Sequence, residues 1–335
     1  MSVFIIAEAG VNHNGQVSMA KRMIKAAYEA GCDAIKFQTF RTDDLVTVFA
    51  DRAKYQKIHS KIESQYEMLK KLELTLDEHM ELFNYCKSIG IKYMSSPFDE
   101  KSADFLDELG MKVFKIPSGE ITNKFLLKHI AKKNKPIILS TGMSNLGEIE
   151  EAIRWIEEEG NNKITLLHCT SNYPTKVEDV NLKAMLTIKE AFKMNVGYSD
   201  HTRGLEICVA AVALGATVIE KHFTLSHELE GPDHKASIEV GELHQLVQMV
   251  RNVEKGLGDG KKRLMTNEVD VLKAARRSIV AKKRICQGET IQLDTIAIKR
   301  PGTGLSPKLA DQIIGKKVKK TIEKDELINI DDIIW

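Results

Sequence analysis

Short apolar runs and longer amphipathic stretches take turns along residues 3–257. The runs are VFIIAE (3–8), DAIKF (33–37), IKYMSS (91–96), KVFKI (112–116), PIILS (136–140), ITLLHC (164–169), NVGYS (195–199) and TVIEKHF (217–223). They are dominated by apolar residues rather than strictly alternating, as expected of parallel strands covered on both faces. Between them lie segments such as VSMAKRMIKAAYEAG and LGEIEEAIRWIEEEG. There the apolar residues recur at three-and-four spacing and stop at a glycine, which marks helices and their C-terminal ends. Eight strands alternating with helical segments predict a (β/α)8 barrel, an α/β fold. Residues 41–75 exceed what one connection needs, and long connections at a barrel mouth often serve as lids.

The pattern changes after residue 257. Residues 258–277 are rich in glycine and lysine and then helical, which reads as a linker. Residues 278–335 combine short strands with turns at QGE and RPGTG, the mark of a small β-rich module. A module of this size is marginally stable by itself and is expected to lean on a neighbour. The organisation is thus barrel 1–257, linker 258–277 and module 278–335.

Composition narrows the setting. Forty-nine Lys and Arg face 47 Asp and Glu, so a net charge of +2 gives no reason to expect nucleic acid or an acidic membrane surface. The N-terminus MSVFIIAEAG lacks a basic segment before its short apolar run, and no run of 18 apolar residues follows, so neither a secretory signal nor a membrane span is expected. Five scattered cysteines without a CxxC read as reduced thiols, hence a cytoplasmic protein.

Barrel enzymes gather their reacting groups at the C-terminal ends of the strands. Those ends carry Glu8; Lys36 and Gln38; Ser96 and Phe98; Lys115, Ser118 and Glu120; Ser140; His168 and Tyr173; Ser199 and His201; and Glu220 with His222. Solvent-facing ends are polar in any barrel, but Lys36 and Lys115 sit inside apolar strands, where a lysine needs a partner. The lysines and serines suit phosphate and carboxylate oxygens. His201 and His222, on adjacent strands, suit a shared divalent cation. Glu220 and His222 are two apart and point to one side of their strand. The GPD turn that follows is expected to bring Asp233 back over the mouth. His227 and His234 are expected to be solvated or to support the site indirectly. No GxGxxG occurs in a strand–turn–helix setting, so a nicotinamide site is not expected.

The motifs IIAEAGVNHNG, IKFQTF, KIPSGE, LSTGM, LHCTSNYPT, GYSDHT, IEKHFT, GPDHKAS and KRPGTG occur in this order. With them the chain resembles the bacterial sialic acid (N-acetylneuraminate, nonulosonate) synthase family. Its tail resembles the antifreeze-like SAF domain. The resemblance implies condensation of phosphoenolpyruvate with an N-acylated hexosamine, N-acetylmannosamine first, with loss of phosphate. The alternative acceptor is 2,4-diacetamido-2,4,6-trideoxymannose, giving N,N'-diacetyllegionaminate. It implies a divalent metal on His201 and His222, Mn2+ first and Mg2+ or Co2+ after it. Phosphoenolpyruvate contacts fall on Lys36, Ser96, Lys115, Ser118, Ser140 and Ser199. Sugar and metal-water contacts fall on Glu8, Gln38, Phe98, Tyr173, Glu120 and Asp233, with Glu120 as the expected proton carrier. Arg300 is the residue that the tail lends to a neighbouring subunit, which implies a domain-swapped homodimer. PSGE stands where many members have GSGE, and Ser171 stands where some have asparagine. Two rivals remain: an aldolase forming a lysine Schiff base, which borohydride and pyruvate would trap, and a carbohydrate-binding barrel without catalysis.

Overall fold

The computed structural model describes residues 2–51 and 64–335. Residues 52–63 of the expected lid lie outside the described residues. The chain divides into two compact units, Met1–Gly258 and Asp259–Trp335.

The first unit is a (β/α)8 barrel. Its strands are β1 (Phe4–Gly10), β2 (Ala34–Thr39), β3 (Lys92–Pro97), β4 (Phe114–Ile116), β5 (Ile137–Ser140), β6 (Ile164–Cys169), β7 (Asn195–Asp200) and β8 (Val218–Thr224). They pair in parallel in the order β3-β2-β1-β8-β7-β6-β5-β4, and β3 lies beside β4 to bring the ring nearly round. Each strand falls on a run expected from the sequence, although β4 keeps only three residues.

Local chemistry sets the helix ends. The helix Leu76–Ile89 starts at a capping box, in which Thr75 and Glu78 satisfy each other's backbone N–H, and ends at Gly90 with φ of +93°. The helix Val17–Glu29 buries Ala20, Met23, Ile24 and Ala27, the stripe its spacing predicts. These faces cover the outside of the barrel and form the main core with outward residues such as Ile5, Ile35, Phe37 and Tyr198.

Inside the barrel a second, smaller core plugs the lower half. It comprises Ile6, Ala34, Met94, Ile138, Leu167 and Val218, with Phe4 and Val113 against it. Gly197 is the inward residue of β7 at this level. A Cβ there would sit 2.4 Å from the Val218 carbonyl oxygen and 2.6 Å from Leu167, so only glycine lets the strands close.

The second unit holds two antiparallel pairs, Ser278–Ala281 with Ile296–Lys299 and Lys317–Val318 with Ile333–Ile334. It has its own core, including Ile279, Ile285, Ile291, Ile313, Ile322 and Ile328. The stretch read as a linker contributes the helix Val269–Ala275.

Candidate active site

Strand geometry turns the apolar plug into a polar basin within one step. Inward positions recur every second residue, so Ile6 is followed by Glu8, Ala34 by Lys36, Met94 by Ser96 and Val113 by Lys115. By the same count Ile138 leads to Ser140, Leu167 to Cys169, Gly197 to Ser199 and Val218 to Glu220, then His222. All nine polar residues line one cavity of about 460 Å³ at the C-terminal ends of the strands, a volume typical of small-molecule sites.

At its floor stand four buried charges. Lys36 Nζ lies 2.7 Å from Glu8 Oε2 and 3.7 Å from Glu220 Oε2, while Lys115 Nζ lies 3.5 Å from Glu220 Oε1. None of the four is more than 4% exposed. Ser199 donates to Glu220 at 2.9 Å, and Lys36 donates to Ser96 at 3.2 Å. Burial opposes charge on Lys36, but Glu220 and Glu8 outweigh it and raise its pKa. For Lys115 burial prevails over Glu220 and the pKa falls. Glu220 is depressed, because Lys115 and Lys36 overcome the burial that would raise it. Glu8 is pushed up to about 7 by burial, with Lys36 pulling the other way.

The two imidazoles meet above this floor. His201 and His222 have ring centroids 5.3 Å apart, and Tyr173 sits against both, at 4.2 and 5.6 Å. His201 Nδ1 bonds the Thr170 carbonyl oxygen at 2.8 Å and lies 3.7 Å from Cys169 Sγ. A ring that donates Nδ1–H to a carbonyl presents the Nε2 lone pair. Burial holds the His222 pKa well below the ordinary value, so that ring is neutral. Burial opposes charge on His201 too, but the neighbouring Cys169 raises its pKa. Ligation needs the neutral ring, so a cation and a proton compete for it. His222 Nδ1 is buried without a hydrogen-bond partner among the described residues.

These residues fit a divalent cation held by two imidazoles, with its remaining positions left to substrate and water. No group of three or more His, Cys, Asp or Glu forms a complete protein cage among the described residues.

The other expected residues distribute unevenly. Gln38, Phe98, Ser118, Tyr173 and Asp233 line the same cavity. Burial pushes Asp233 up to about 6. Ser118 accepts from the Gly142 N–H at 2.9 Å, and a Cβ on Gly142 would meet Ser118 Oγ at 2.8 Å and Ser171 Oγ at 2.3 Å. Glu120 is not among the lining residues, although Gly119 beside it is. Its carboxylate accepts from Asn123 at 2.7 Å. Arg300 belongs to the second unit, where its Nε donates to the Ala275 carbonyl at 3.1 Å. Of the two loop histidines, His234 is fully buried between Thr224 and Asn14, whereas His227 Nε2 bonds the Ser237 carbonyl.

One wall of the cavity comes in part from the long connection 41–75 expected at the barrel mouth, although its apolar lining was not assigned from the sequence. Val11 and the helix Gln65–Leu72, through Met68, Leu69 and Leu72, make an apolar side facing the polar floor. Helical spacing could have found the helix, but not which strand ends it covers. Cys169 and Ser171, seen in the sequence at the end of β6 but given no role there, also line the cavity, the first by the inward parity of β6.

Fold and site together define a (β/α)8 barrel whose C-terminal strand ends enclose a buried cavity lined by charged groups and two imidazoles. The NeuB family matches residues 23–262 and the SAF domain residues 276–334. An N,N'-diacetyllegionaminic acid synthase of Campylobacter jejuni is 51% identical over 97% of this chain and 98% of its own length. One of Legionella pneumophila is 47% identical over 96% and 92%. The crystal structure of an N-acetylneuraminic acid (sialic acid) synthetase from Leptospira borgpetersenii, in complex with citrate, superposes with a TM-score of 0.73. That structure is 36% identical and covers 81% of this chain and 90% of its own. The chain belongs to the NeuB family, and it is a phosphoenolpyruvate-dependent nonulosonate synthase. Among the described residues no helix is long and apolar enough to cross a membrane.

Proposed function

We propose that this enzyme condenses phosphoenolpyruvate with 2,4-diacetamido-2,4,6-trideoxymannose and water to give N,N'-diacetyllegionaminate and phosphate. One observation carries the choice of sugar. Two relatives, at 51% and 47% identity over nearly the whole chain, are named for that product, whereas the mouse N-acetylneuraminate-9-phosphate synthase stands at 39%. The apolar wall of Val11, Met68, Leu69 and Leu72 supports it, since a 6-deoxy sugar with two acetyl groups presents methyls where N-acetylmannosamine presents hydroxyls. N-acetylmannosamine, the acceptor expected first from the motifs, is the second reading. The sialic acid synthetase fold match favours it.

The residues divide the work. Phosphoenolpyruvate brings close to three negative charges. Lys36 and Lys115 offset two of them, and Ser96, Ser118, Ser140 and Ser199 donate to its oxygens. Carbon 3 attacks the acceptor's aldehyde carbon, water adds at carbon 2, and the C–O bond to phosphate breaks. His201 and His222 would hold a divalent cation, Mn2+ by expectation, whose chemistry when bound is to polarise the aldehyde as a Lewis acid. Tyr173 packs on both rings and keeps bulk water from them. The new hydroxyl needs a proton. Asp233 and Glu8, both held near neutral pKa by burial and both lining the cavity, are better placed to give it than Glu120. Gln38 and Phe98 hold the acceptor. The chain works as a domain-swapped homodimer in which Arg300 of one copy grips the acceptor in the other.

The test is a panel of acceptors with phosphoenolpyruvate and Mn2+, read by phosphate release and product mass. The diacetamido sugar is expected to give the highest kcat/KM. A higher value for N-acetylmannosamine would replace the first reading with the second. Borohydride with pyruvate should trap nothing, whereas a covalent adduct would revive the Schiff-base aldolase.

A further inference from the structure

Behind the barrel wall, on the side away from the cavity, lies a second buried ion pair. Lys221 sits between Glu220 and His222, so its side chain points outward where theirs point in. It is 1% exposed, and Asp200 is fully buried. The two residues face each other in the last register pair of the β7–β8 ladder. Lys221 Nζ donates to Asp200 Oδ2 at 2.6 Å and to the Thr202 carbonyl oxygen at 2.5 Å.

The Asp200 carboxylate is saturated. Oδ1 also accepts from Thr202 N–H at 2.9 Å and Tyr198 Oη at 3.1 Å. Oδ2 accepts from Thr202 Oγ1 at 3.1 Å and Cys208 Sγ at 3.2 Å. Through Cys208 the network reaches the helix Glu206–Ala213.

Its place on the chain matters more than its size. β7 ends at Asp200, so His201 is the first residue beyond the ladder. Asp200 and Thr202, the residues on either side of His201, are tied to each other and both to Lys221, the residue before His222. The backbone of His201 is fixed further by Thr175 N–H, which donates to its carbonyl at 2.8 Å. A ladder would normally set the distance between two side chains on adjacent strands. Here the ladder has stopped, and the ion pair takes over.

We infer that the Asp200–Lys221 pair is a positioning element that fixes the separation of His201 and His222, and with it their capacity to share one divalent cation. The inference rests on the proposal that these two imidazoles hold a cation. Neither Asp200 nor Lys221 lines the cavity, so their effect on it is indirect.

The test uses the full-length protein and Mn2+ alone, with free Mn2+ counted by electron paramagnetic resonance. Lys221→Met should lower the thermal midpoint by about 10 °C, because it leaves a buried carboxylate unpaired. The double variant Asp200→Asn, Lys221→Met removes both charges and should recover most of that loss. Its Mn2+ dissociation constant should nonetheless remain weakened about 10–100-fold, the range seen when groups that orient metal ligands are removed. Its KM for phosphoenolpyruvate should stay near wild type while kcat falls. A double variant that regains stability and binds Mn2+ as tightly as wild type overturns the inference. Should that variant not fold, Tyr198→Phe decides, since it removes one hydrogen bond to Asp200 and leaves the packing. It should weaken Mn2+ binding about threefold, and unchanged binding counts against the inference. A wild-type protein that binds no Mn2+ and makes product in EDTA removes the cation and this inference together, while the synthase reading stands.

Discussion

Two buried charge clusters lie back to back where β8 turns Glu220 inward and Lys221 outward, and they are built to opposite rules. The outer one, Asp200 with Lys221, is closed, since both carboxylate oxygens accept several donors and the ammonium finds two acceptors. The inner one, Glu8, Lys36, Glu220 and Lys115, is open. Glu220 Oε2, Ser140 Oγ and His222 Nδ1 have no hydrogen-bond partner among the described residues, and Glu220 must serve two lysines at 3.5 and 3.7 Å. A closed network holds the backbone still. An open one leaves polar atoms aimed at a cavity, where a polyanion can complete them. Burial alone therefore does not tell a structural charge from a binding charge, whereas unmet hydrogen-bonding capacity does.

The sharpest way to break this contrast is to delete one lysine from each cluster. Lys221→Met should cost about 3–5 kcal/mol in urea unfolding, the usual result of orphaning a buried charge. Lys115→Ala should cost much less stability, because Lys36 remains beside Glu220. It should instead weaken phosphoenolpyruvate about 10–100-fold, the loss of one charge-assisted contact of about 1.5–3 kcal/mol. Equal stability losses in the two variants would erase the distinction.

The second prediction uses pH. His79 and His13 are buried and neutral, burial holding their pKa values down at about 3 and about 4. The unfolded chain takes up these protons below about pH 6.5 and the folded protein does not. Their contribution is therefore fully present above pH 6.5 and is lost as pH falls toward 4. Glu8 has the opposite sign. Its raised pKa means the folded state holds a proton that the unfolded chain releases, so its contribution is lost as pH rises through about 7. Urea unfolding of wild type and His79→Gln between pH 6.5 and 4.5 should show the variant losing less stability, by about 1.4 kcal/mol per pH unit. Parallel curves would refute the assignment.

The smallest expected effect belongs to Ser140→Ala. Its hydroxyl has no hydrogen-bond partner among the described residues, so stability should change by about 0.5 kcal/mol or less. The KM for phosphoenolpyruvate should rise about threefold to tenfold, measured by phosphate release. A large stability loss with unchanged KM would move Ser140 from the open cluster to the closed one.

The strand-end rule reached far into the site because strand parity is local. Once Ile6, Ala34 and Val218 are known to face inward, Glu8, Lys36, Glu220 and His222 must follow. The same rule says that Lys221 points the other way, but not that Asp200 waits for it, since that depends on the register between β7 and β8. Glu120 shows the opposite limit. It follows the strand in the turn Ser118–Glu120, where parity no longer holds and the chain's path decides what reaches the cavity. The length of the connection 41–75 placed it at the mouth, but not which residues line the cavity: an amphipathic helix announces an apolar face, and only the fold shows that Met68, Leu69 and Leu72 turn it toward the site.

By itself, then, the order of residues determined the number of strands, their inward faces and the kinds of group at the barrel mouth, because 2.0- and 3.6-residue periodicities are properties of short segments. Only the tertiary structure decided which charges were satisfied and which were left open, how closely His201 approaches His222, and that Glu120 stays out of the cavity. Those outcomes depend on distances between segments far apart in the chain, set by strand register and by packing against the helices, and no local pattern encodes them.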